Sequence, residues 1–121
     1  MISKVLNHFN IILIKHPIIS ALFAGSILNF SFCKYSIFIC VILSFNILIK
    51  LLNNCLLDKS IKRSFIIGYW FGFTYFFFTL TWVTNSFTYV GLNQFYGYLA
   101  LVALVTVLSL YSAIACTITV Y

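Results

Sequence analysis

Residues 68–91 read GYWFGFTYFFFTLTWVTNSFTYVG. The stretch carries no charged side chain, is crowded with aromatics and has a glycine at each end. Together with its lead-in, residues 65–84 form an apolar run of the length that crosses a bilayer. About 20 residues at 1.5 Å each cover the ~30 Å hydrocarbon core. The whole chain has the same character. Of 121 residues, 64% are hydrophobic and 7% charged, and the mean hydropathy is +1.13. A soluble domain carries about 25% charged residues. Too few polar side chains are present to cover a water-exposed globule, so much of the surface faces lipid. The sequence is that of an all-α integral membrane protein with about four transmembrane helices.

Outward from this run, residues 53–64 (NNCLLDKSIKRS) hold Asp58, Lys59, Lys62 and Arg63. They are the only long polar stretch and read as a loop or short interfacial helix. Before them, residues 35–52 form a second apolar run. Its Ile, Val and Phe favour strands in water, but a lone strand in lipid leaves its backbone groups unpaired, so this run is also helical. Asn46 inside it needs another helix or a local partner. A shorter run, residues 17–32, starts at Pro17, which suits a first helical turn because its missing N–H is not needed there. Residues 1–16 (MISKVLNHFNIILIKH) form an amphipathic lead-in. On the far side, residues 86–97 are uncharged and rich in Ser, Asn, Gln, Tyr and Gly, the composition of an interfacial loop with aromatic anchors. The fourth run is residues 98–120.

The seven cations orient the chain. With the N-terminus cytoplasmic, Lys4, Lys15, Lys50, Lys59, Lys62 and Arg63 face inward and only Lys34 faces out, as the positive-inside rule requires. The turns at 33–35 and 85–97 are then outside, and the basic loop 53–64 is inside. A net charge of +6 does not indicate nucleic acid, because the cations sit between apolar runs rather than on a soluble basic face. A cleaved signal peptide ending near Ala24, Gly25 and Ser26 is the weaker reading of the first residues, since the apolar pattern continues through them.

Chemistry-bearing residues are sparse. There is no Glu, and Asp58 is the one acid. A carboxylate pair for acid–base work is therefore absent, and a Ser-His-Asp set would have to pass through a basic loop. Cys33, Cys40, Cys55 and Cys116 show neither CxxC nor Cys/His spacing and read as packing thiols. His8 and His16 read as polar residues at the membrane surface rather than a metal pair. No catalytic, cofactor or metal-binding residue is assigned. Gly68 and Gly72 make a GxxxG, and Ala21 and Gly25 a related small-residue pair. Both let helices approach closely, within one bundle rather than across a homodimer.

The spacing Gly68, Phe71-Gly72, aromatic run to Phe78, Trp82, Ser86, Gly91 resembles the third transmembrane helix of bacterial apolipoprotein N-acyltransferases. The neighbours add to the likeness. The basic turn SIKRSF at 60–65 precedes the helix, and an LSLY element (Leu108, Ser109, Leu110, Tyr111) lies on the next one. Leu28, Asn29, Phe30 and Ser31 resemble the family's first turn, with Phe32 where the family has proline. Thr74, Phe77 and Thr79 stand where family helices often carry further glycines. The likeness covers about residues 17–120.

The resemblance implies a multi-pass protein of the bacterial inner membrane. Such enzymes transfer an acyl chain from a phospholipid to the N-terminal amine of a diacylated lipoprotein cysteine. Their Glu-Lys-Cys triad lies in a nitrilase-like domain, none of which is among these residues, so no triad residue carries over. Cys116 lies in a membrane helix and is not that nucleophile. The family-motif and packing residues that do carry over are Gly68, Gly72, Trp82, Ser86, Gly91 and Tyr111. Trp82 and Ser86 have a plainer reading as an aromatic-belt anchor and a helix-end hydroxyl. The partners expected are membrane lipids, including the acyl donor, and a lipoprotein only where a catalytic domain is supplied. The chain is expected to be a truncated or fragment form, inactive alone. The alternatives are a small independent membrane protein that packs with a partner, and a decayed remnant.

Overall fold

The computed structural model describes residues 1–32 and 38–121, apart from the side chains of Phe30 and Phe32. Among the described residues all regular structure is helical: α1 (Ile2–Lys15), α2 (Pro17–Phe32), α3 (Phe38–Leu57), α4 (Ile61–Thr79), α5 (Trp82–Tyr89) and α6 (Gln94–Val120). The helices α3 and α6 are each long and apolar enough to cross a membrane. Up to four spans result if the bent pairs α1–α2 and α4–α5 each count as one. The protein is an all-α membrane protein. The expected outer turn at 33–35, with Cys33 and Lys34, lies outside the described residues.

The breaks between helices have local causes. At His16 the chain turns by 111°. A residue before proline is pushed out of the helical region, and His16 sits at φ −131°, ψ 73°. Pro17 then opens α2. The apolar residues on either side of this break are therefore not one straight helix. By itself α2 has 16 residues, about 24 Å of rise. The bend of 42° between α4 and α5 contains neither proline nor glycine. Threonines surround it. Thr79 Oγ1 donates to the Tyr75 carbonyl and Thr81 Oγ1 to the Phe77 carbonyl, each at 2.8 Å. Such back-bonding to the preceding turn bends helices.

Two stretches read as loops are mostly helix. Within 53–64, α3 runs on to Leu57 and α4 begins at Ile61, so only 58–60 lie between. The backbone there closes a tight turn instead of a loop. Ser60 N–H donates to the Cys55 carbonyl and Lys59 N–H to the Leu56 carbonyl, the two bonds of a Schellman end. Lys59 occupies the left-handed position at φ 49°, where glycine is the usual residue. Lys59→Gly is expected to stabilise the bundle by about 1 kcal/mol, read as a higher midpoint of thermal unfolding in detergent. An unchanged or lower midpoint contradicts that account of the turn. Within 86–97, α5 continues to Tyr89 and α6 starts at Gln94, leaving 90–93 as a tight turn.

At the centre, α4 lies between α2 and α6. On one side Ser64, Gly68 and Gly72, spaced by four, meet Ser109, Ser112, Ala113 and Cys116 of α6. The α6 face shows the same spacing: Gly97, Leu101, Val105, Ser109 and Ala113 are all buried. Rows spaced by four on both helices interdigitate as ridges into grooves. On the other side Phe71 and Thr74 meet Gly25 of α2. The helix α3 closes against α2 through Ser44, fully buried, whose Oγ donates to the Ala24 carbonyl at 2.7 Å.

Candidate functional site

The bundle has two chemically different ends, separated by the 19 residues of α4, about 28 Å of helix. One end gathers the α1–α2 junction, the 58–60 turn and the last turn of α6. It carries Lys15, Lys50, Lys59, Lys62 and Arg63. Lys50 Nζ donates to Asn10 Oδ1 at 3.1 Å, and Arg63 donates to Asp58 at 2.9 Å. Both members of the Arg63–Asp58 pair are more than half exposed, so the pair adds little stability. It does occupy the single carboxylate. Among the described residues no group of three His, Cys, Asp or Glu is placed to hold a metal ion.

The other end is aromatic. It is built from α5, the 90–93 turn and the start of α6, with Trp82, Tyr89, Leu92, Phe95, Tyr96 and Tyr98 all exposed. Trp82 and Ser86 are one turn apart on α5 and both face outward. Gly91, at φ 79°, is the left-handed residue of a second Schellman end: Leu92 N–H donates to the Phe87 carbonyl and Gly91 N–H to the Thr88 carbonyl. A methyl on Gly91 would meet nothing within 4 Å. The glycine is needed for its backbone conformation, not for space. Gly91→Ala is expected to cost about 1 kcal/mol, seen as a lower unfolding midpoint, while Gly91→Asn loses less. Equal stability of all three proteins contradicts this role. Below the turn, Gly97 lets α6 approach α5, since its would-be Cβ lies 3.2 Å from Thr84 Cα.

The six residues singled out from the sequence fall in three places. Gly68 and Gly72 are buried on the α4–α6 seam. Trp82, Ser86 and Gly91 belong to the aromatic end. Tyr111 is 70% exposed on α6. They do not converge on one reacting point. Sequence reasoning missed the hydroxyls that stitch the bundle: Ser64 Oγ donates to the Cys116 carbonyl at 2.8 Å, and Ser44 to Ala24. The repeat Ser64, Gly68, Gly72 was a signal for the first, because it extends the GxxxG by one turn. Asn29 and Asn46 do not pair with each other. Asn29 Oδ1 accepts from Thr79 on α4 at 3.4 Å, and Asn46 donates to its own helix at the Ile42 carbonyl.

Among the described residues no acid–base pair is brought together. The family model of the apolipoprotein N-acyltransferase N-terminal domain matches residues 24–121. No curated protein and no solved structure gives a significant match. The matched segment takes in the small-residue seams on both sides of α4, the α4–α5 bend, the Gly91 turn and all of α6. With that match over most of its length, this multi-pass membrane chain belongs to the apolipoprotein N-acyltransferase N-terminal domain family.

Proposed function

We propose that these residues are the membrane-embedded part of an apolipoprotein N-acyltransferase of a bacterial inner membrane, and that they transfer no acyl chain by themselves. The observation that carries this reading is the family match over residues 24–121 in a sequence with no Glu and a single Asp. Lipoprotein N-acylation from phospholipid, as the resemblance implies it, needs a Glu-Lys-Cys set, and these residues cannot assemble one. Their part is structural: a rigid bundle centred on α4 that holds lipid acyl chains along its sides.

In this reading the N-terminus and the cationic end are cytoplasmic, following the distribution of Lys and Arg. The helix α1 lies in the plane of the membrane surface. Its exposed Ile2, Val5, Leu6, Phe9 and Ile12 form one continuous apolar face, as interfacial helices do. The aromatic end then faces outward, at the level where such aromatics settle. There Trp82 and Ser86 sit beside the phospholipid donor, the lipoprotein and the catalytic domain.

The test is reconstitution. The chain is incorporated into liposomes with a labelled phospholipid donor and a diacylated lipopeptide bearing an N-terminal cysteine. No N-acylated product above protein-free liposomes is expected. Product formed by the chain alone contradicts the assignment of catalysis to residues outside it.

A further inference from the structure

We propose that the cleft between α1 and the inner end of α3 is a binding site for the phosphate of an anionic phospholipid headgroup. The cleft measures about 230 Å³ and is lined by Asn10, Leu13, Ile14, Lys50, Leu51, Asn53 and Asn54. Its chemistry is selective. Lys50 brings a positive charge with three donors, and the three asparagines bring amide NH2 groups. No carboxylate lines it. Among the described residues, the side chains of Asn53 and Asn54 donate to no protein acceptor, and Lys50 uses one donor, on Asn10. An anion is the ligand that completes these partners. A phosphodiester oxygen beside Lys50 makes a charge-assisted bond of the stronger class.

The surroundings select a lipid over a free ion. The apolar lining of the cleft is Leu13, Ile14 and Leu51, of which Ile14 is more than half exposed. The volume is below the ~300–1,000 Å³ of an ordinary small-molecule site. It takes a headgroup and leaves the acyl chains outside, against exposed apolar side chains. Basic pockets between helices on the cytoplasmic side of a membrane are where anionic headgroups bind. Such a lipid would bridge α1 to α3 and hold α1 across the bundle, a link that α1 otherwise makes mainly through Leu13 and the Asn10–Lys50 bond. This end lies opposite the aromatic end, so the lipid is a structural one and not the acyl donor. The site rests on the cleft; only its distinction from the acyl donor rests on the acyltransferase reading.

The experiment uses the full chain in a neutral detergent, with thermal unfolding followed during titration by short-chain phosphatidylglycerol, short-chain phosphatidylcholine or sodium phosphate. Phosphatidylglycerol is expected to raise the unfolding midpoint well above the other two. Lys50→Gln is expected to weaken the apparent affinity for phosphatidylglycerol about fivefold. Lys62→Gln removes the same charge from outside the cleft and is expected to leave it unchanged. Asn53→Ala, at an exposed position that folding tolerates, lowers it by a smaller factor. Equal responses to phosphatidylglycerol and phosphatidylcholine overturn the site. So does an equal loss in Lys50→Gln and Lys62→Gln, which marks diffuse surface charge. A response to sodium phosphate matching that to phosphatidylglycerol overturns the lipid as ligand.

Discussion

Gly68→Leu is expected to separate α4 from α6 and to destabilise the bundle by about 3 kcal/mol, the upper range for overpacking a tight interior. Even a methyl at this position would lie 2.7 Å from Cys116 Cβ and 2.9 Å from Ala113 Cα. The second of these is backbone and cannot rotate away, so the helices must part. Parting them also breaks the bond from Ser64 Oγ to the Cys116 carbonyl. The measurement is the unfolding midpoint in detergent, joined to maleimide labelling of Cys116 located by peptide mass. Cys116 is 6% exposed in the native bundle and lies about one turn from the end of α6. It should label slowly in the native protein and quickly in the variant. Native stability together with protected Cys116 would show that the seam is not where the two helices are held.

Gly25→Leu is expected to be comparably severe, about 3 kcal/mol, but to open the opposite side of α4. A methyl on Gly25 would lie 2.6 Å from the Phe71 carbonyl oxygen and 3.1 Å from Thr74 Cβ. That carbonyl belongs to the α4 backbone, so α2 must retreat and take α3 with it through the Ser44–Ala24 bond. Trp70 packs against the core cluster that includes Ala21, Ala24 and Phe71, and its emission should shift as the packing changes. Cys116 stays protected, because the α4–α6 seam is untouched. Loss of protection at Cys116 in both variants would mean that the bundle melts as one unit, without two separable seams.

The sequence made some of this fold legible and hid the rest for identifiable reasons. The apolar runs and the break at Pro17 were readable, because lipid imposes a length and proline removes a donor. The GxxxG at Gly68 and Gly72 showed a close approach, but not its partner. The facing row on α6 includes Leu101 and Val105, whose size disguises a stripe that only its spacing of four reveals. The helical ends at Leu57 and Tyr89 were missed, because polar residues suggest loops even when they close a Schellman turn. Lys59 adds to the difficulty by standing where a glycine would have marked the stop. The α4–α5 bend was equally hidden, since it holds neither proline nor glycine. Of the site residues, Trp82, Ser86 and Gly91 share one end, while Tyr111 is exposed on α6. A motif conveys residue spacing along the chain, and the face each residue takes depends on neighbours that the motif does not contain.

The central claim is that these helices serve a catalytic domain and contain no catalytic machinery of their own. The most direct measurement is to read the coding sequence for several hundred codons beyond Tyr121. The account predicts a nitrilase-like domain with a Glu-Lys-Cys set, in frame or encoded immediately alongside. A frameshifted remnant, or neighbouring sequence with no such domain, would contradict it and reduce the family membership to ancestry.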